Sequence, residues 1–113
     1  MQDSIEGMWT VWFEGVVGCG YGIVVLESER VFGGDSSWHY RGNYTIRGDQ
    51  FSAKVEVTHY GAPGNAVTGH GPGDSPFQLT ITGVKVDSAK IKAEGSTTTG
   101  AMELELRKVA ELP

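Results

Sequence analysis

Few residues in this chain belong to types that do covalent or metal chemistry. Three histidines, His39, His59 and His70, lie 20 and 11 positions apart. A zinc centre needs three or four converging His, Cys or carboxylate ligands, usually with paired spacing. Neither a CxxC nor an HxxxH pair is present, so the three read as polar residues at strand ends and no metal is expected. Cys19 stands between Gly18 and Gly20 with no base near it in sequence. A catalytic thiol needs a base and an electropositive setting, so Cys19 reads as a small packed residue. The carboxylate pairs Glu27/Glu29 and Glu103/Glu105 fall in a turn and on the wet face of one strand. Acid/base work needs two carboxyls in different environments, which these lack. Gly18, Gly20 and Gly22 do not make the G-x-G-x-x-G spacing of a phosphate loop, and no helix follows. They suit a strand whose backbone is closely approached or bent. Arg47-Gly48-Asp49 spells an adhesion tripeptide, but a hairpin turn needs such residues there anyway. No nucleophile, base and orienter can be assembled, and the expectation is a protein that is not an enzyme and carries no cofactor.

What positions these residues is a period of two. Phe51, Ala53, Val55 and Val57 alternate with polar neighbours, as do Phe77, Leu79 and Ile81. The same holds for Ala89, Ile91 and Ala93, and for Met102, Leu104 and Leu106. Successive strand side chains point to opposite faces, so each run is a strand with one apolar and one wet face. Residues 8–14, 21–26, 30–33 and 38–46 add four more strand-like runs. Gly-, Ser- and Asp-rich turns separate them, and no run of ten residues has a period of 3.6. The fold class expected is all-β: an eight-stranded antiparallel barrel with at most one short helix, closed so that no edge is left exposed. The chain reads as a single domain, residues 1–113, with a core over about 7–107. Residues 61–76 hold five Gly and three Pro. Loops this long are commonly functional, and this one reads as a flap over one barrel end.

The aromatic residues mark the candidate surfaces. Trp38, Tyr40, His59 and Tyr60 cluster where the flap leaves the sheet, and inward-pointing Ala53, Ala89, Ala93 and Gly83 would leave space in the lumen. Trp38, Tyr40, His59, Tyr60, Ala53 and Ala93 are therefore the candidate ligand-binding set. The first two strands are apolar on both faces, which predicts a covered or partnered outer face and hence a homodimer. Trp9, Val11, Phe13, Val24 and Leu26 are the candidate interface residues.

Charge and composition bound the partners. The 113 residues carry 9 basic and 14 acidic side chains, a net charge of −5. That balance argues against nucleic acid and anionic membranes, which need a basic surface. No apolar run approaches the roughly 18 residues of a membrane-spanning helix. Residues 1–7 have no basic-then-apolar leader pattern, and the expected location is the cytoplasm. A lone cysteine fits a reducing compartment.

Several pieces together resemble the GrlR-like family of small bacterial barrels, named for a negative regulator of type III secretion genes. They are Gly7-Met8-Trp9-Thr10-Val11-Trp12-Phe13, Gly20-Tyr21-Gly22-Ile23-Val24-Val25, Gly33-Gly34-Asp35, Tyr40-Arg41-Gly42-Asn43-Tyr44, Gly48-Asp49 and His59-Tyr60. The resemblance runs from about Gly7 to Leu106. It implies a lipocalin-like barrel, commonly dimeric, with an apolar cavity. It also implies a regulator that works by protein–protein contact, since the founding member binds a transcriptional activator and keeps it off DNA. That contact uses an exposed Glu-Asp-Glu-Asp loop. The matching hairpin here, Arg47, Gly48, Asp49 and Gln50, holds one acid and one base, so the activator surface does not carry over. The 61–76 loop is also longer than the family's usual connection. Two functions follow as expectations. One is a protein-binding module acting through contact with a protein partner; the other is a carrier or sensor of a small apolar ligand in the lumen.

Overall fold

A computed structural model describes residues 4–16, 18–61, 66, 68–98 and 100–113. The eight expected runs form eight strands: β1 (Gly7–Gly15), β2 (Gly18–Glu27), β3 (Arg30–Gly34), β4 (Trp38–Arg47), β5 (Gln50–His59), β6 (Phe77–Asp87), β7 (Lys90–Thr97) and β8 (Gly100–Ala110). Each pairs antiparallel with the next, and β8 returns to β1, so the sheet closes on itself. Closure leaves every interior ladder group paired and removes the exposed edge that invites aggregation. The only helical turn among the described residues is Pro72–Asp74, inside the long loop.

The alternation seen in the sequence is the alternation of the wall. In β5, Phe51, Ala53, Val55 and Val57 are buried and Ser52, Lys54 and Glu56 are exposed. Strand ends differ where polarity hid them: β6 continues to Asp87, β7 begins at Lys90 and reaches Thr97, and Ala89 lies exposed in the turn before it.

One end of the barrel is plugged. Trp9, Leu26 and Ile91 are fully buried there, and the chain ahead of β1 lies across them, with Ile5 only 2 % exposed. The indole Nε1–H of Trp9 donates to the Ile5 carbonyl at 2.9 Å, which satisfies the one polar atom of a buried tryptophan. The backbone N–H of Ser28 donates to Glu6 Oε2 at 2.6 Å, tying the same segment to the β2–β3 turn.

These positions correct the expected interface. Trp9, Val11, Val24 and Leu26 are buried in the core, and Phe13 packs against it. The large apolar and aromatic residues of the first three strands that do face outward are Met8, Trp12, Tyr21, Ile23, Val25 and Phe32. Parity alone could not say which face of a doubly apolar strand points in; closure of the barrel decides it.

Candidate functional site

Above the plug the lumen is open space: a cavity of about 320 Å³. Its walls are apolar and come from many strands, among them Val11, Val24, Val31, Ala53, Val55 and Leu104. Toward the loop end it is lined by Asp35, Ser36, Ser37, Ala66, Thr68 and Phe77.

The β3–β4 turn builds the polar side of this mouth. Asp35 Oδ1 accepts hydrogen bonds from the backbone N–H groups of Ser37 (2.9 Å) and Trp38 (2.8 Å). Aspartate favours such turns because its side chain can stand in for a backbone acceptor two residues on. Asp35 Oδ2 accepts from the Tyr40 hydroxyl. Burial first, and then this carboxylate contact, push the Tyr40 phenol well above its ordinary range, so it remains a protonated donor. Glycine makes room for the ring: a β-carbon on Gly22 would meet the Tyr40 hydroxyl at 2.9 Å. The alternating glycines of β2 thus seat aromatic rings inside the barrel; Gly20 does the same for Phe13, at 3.0 Å.

Beside this turn the mouth is aromatic. Trp38 is buried and meets Phe77 edge-on at 5.6 Å and His59 edge-on at 5.2 Å. His70, from the long loop, stacks on Phe77 with centroids 3.9 Å apart and planes 9° apart. His70 and Thr68 are both buried, and Thr68 Oγ1 and His70 Nδ1 are 2.7 Å apart. The described part of the loop therefore packs over the barrel end, as a flap would; residues 62–65 and 67 lie outside the described residues. The backbone N–H of His59 donates to Ser75 Oγ at 2.9 Å, and that of Tyr60 to the Ser37 carbonyl at 2.9 Å.

The six expected ligand residues separate. Trp38, Tyr40 and Ala53 line the cavity. His59 does not reach it and instead backs Trp38. Tyr60 is 59 % exposed, lies near His39 outside the wall (5.8 Å), and donates its hydroxyl to the Asp35 carbonyl. Ala93 is buried but lies beyond the cavity, against Gly83. The hairpin Arg47, Gly48, Asp49 and Gln50 is exposed at the plugged end, with Gly48 at φ 60° turning the chain. Sequence reading missed Asp35, Ser36 and Ser37, which look like ordinary turn residues. It also missed Phe77, which looks like any inward strand residue. The usable signal was proximity, since Asp35, Ser36 and Ser37 are the three residues ahead of the Trp38 and Tyr40 already singled out.

The arrangement can hold an apolar molecule and meet its polar end. Among the described residues no group of three His, Cys, Asp or Glu could hold a metal. No described helix is long and apolar enough to cross a membrane. No protein-family model matches the chain, and neither does any curated protein.

Proposed function

We propose that this protein is a carrier or sensor that binds a small apolar molecule in its lumen and performs no reaction on it. The observation that carries this reading is the cavity of about 320 Å³, apolar in its walls and polar only at the mouth. Binding sites for small molecules combine mostly apolar walls with a few placed polar groups. A cavity of about 150 Å³ takes a benzene, so this one suits a ligand of about a dozen non-hydrogen atoms. Native mass spectrometry of the protein taken gently from its host tests it. The expected result is a mass above a multiple of 12.1 kDa that falls back to the chain mass on denaturation. Clean multiples of the chain mass, with no uptake of added apolar ligands, would sink it.

A second reading has its own support. Met8 pairs with Val25, and Val25 with Phe32, so an apolar stripe crosses the outside of β1, β2 and β3. Ile23 and Phe32 are 40 % and 42 % exposed on it. A sheet face of this kind suits association with a second copy, since apolar surface complements itself. The resemblance to the GrlR-like barrels, commonly dimeric cytoplasmic regulators, points the same way. In this reading the carrier is a homodimer, and a signal from the lumen passes to a protein partner.

A further inference from the structure

The cavity's one formal charge has a consequence for the kind of molecule it accepts. Among the described residues that line it, Asp35 is the single ionisable acid or base other than tyrosine, and no Lys, Arg or His is included. Its carboxylate is held by three donors: two backbone N–H groups on Oδ1 and the Tyr40 hydroxyl on Oδ2. A carboxylate offers about four acceptor sites, so one on Oδ2 is left for a fourth donor. The mouth thus presents an oriented acceptor at the end of an apolar chamber.

We infer that the lumen selects an amphiphile with a hydrogen-bond-donating head, an alcohol or an amine, and rejects the matching carboxylate. This rests on the lumen-binding reading above. An alcohol or ammonium head donates to Asp35, and that contact offsets the cost of taking the head out of water. A carboxylate head has no proton to donate. It would face Asp35 as a like charge where water is partly excluded and screening is weak, with no Lys, Arg or His among the described lining residues to offset it. The net charge of −5 adds to that repulsion at longer range. Fatty acids, whose apolar bodies would otherwise fit, are excluded by the head alone.

The test compares three ligands of matched chain, decan-1-ol, decylamine and decanoate. Each is titrated below its aggregation threshold into the full chain and followed by tryptophan fluorescence and calorimetry. The alcohol and the amine are expected to bind about tenfold or more tightly than decanoate, roughly 1.4 kcal/mol or beyond. Asp35→Asn keeps the turn's acceptor atom and removes the charge, and should reduce the gap to less than about threefold. Ser36 is exposed and lines the mouth, so Ser36→Lys should fold normally and raise decanoate affinity about tenfold. Equal binding of decanoate and decanol by the unaltered protein overturns the head preference and leaves the lumen reading standing. A gap that both variants leave unchanged overturns Asp35 as the selecting group, again with the lumen reading standing. Failure of all three ligands to bind overturns both.

Discussion

A β-carbon on Gly83 would stand 2.5 Å from the β-carbon of Ala93. The two small residues face each other across β6 and β7, so they close the wall rather than hollow it. Phe51 pairs with Gly83 from the other side and stacks on Tyr44 at 5.9 Å. Ala53, two residues further along β5, borders open cavity.

Phenylalanine should therefore act differently at the two alanines. Ala53→Phe places its ring in vacant lumen, and is expected to abolish ligand uptake while shifting stability by less than about 1.5 kcal/mol. Ala93→Phe has no space to enter and should cost about 1–3 kcal/mol or more through overpacking. Urea denaturation and ligand titration on both variants check this. Equal loss of stability would contradict the assignment of the cavity to the Ala53 side alone.

Trp9 anchors the plug through Ile5, so truncating it should be costly. Trp9→Ala is expected to lose about 3–5 kcal/mol, because a fully buried ring leaves a cavity. Trp9→Phe keeps most of the ring and removes the donor to the Ile5 carbonyl, which should cost about 1–3 kcal/mol. Chemical denaturation gives both values, and near-wild-type stability of Trp9→Ala would refute the plug.

Tyr40 links stability to alkaline pH. Its phenol is raised above the ordinary range by burial and by Asp35, and that of Tyr44 by burial. In the unfolded chain these groups ionise near pH 10, while in the folded protein they keep their protons. The folded state then binds more protons, so stability is complete below about pH 10 and declines as the pH rises beyond it. Tyr40→Phe should flatten that decline while losing about 1–3 kcal/mol at neutral pH with its bond to the carboxylate. Denaturation midpoints between neutrality and pH 11 measure both effects, and an unchanged alkaline slope would contradict the assignment.

The outer stripe determines the oligomer if the second reading holds. The unaltered protein should then sediment at twice the 12.1 kDa chain mass. Ile23→Glu with Phe32→Glu should convert it to monomer without unfolding it, since both side chains face solvent in the single chain. A monomeric wild type, or a double variant that still dimerises, removes this face from consideration.

All eight strands, and the sheet faces of those in the second half, were legible in the sequence, because alternation of apolar and polar residues is a local property of a strand with one wet side. Phe51 to Val57 shows this: each inward residue is buried and each outward polar one exposed. Ala53 was legible as an inward residue for the same reason, and Trp38 and Tyr40 were singled out by their place where the long loop leaves the sheet. The first hairpin was not, because β1 and β2 are apolar on both faces and local pattern cannot choose between them. Closure against β8 turned Trp9 and Leu26 inward and left Met8 and Ile23 outside. Tertiary packing also decided where the barrel is filled and where it is open. Ala53 and Ala93 are the same residue type at the same parity, yet one meets vacant lumen and the other meets Gly83 across the next strand. The role of Asp35 was decided the same way: in sequence it is a turn residue that caps its own backbone, and only the closed barrel sets that turn at the mouth of the cavity, with Tyr40 seated over Gly22 as its third donor.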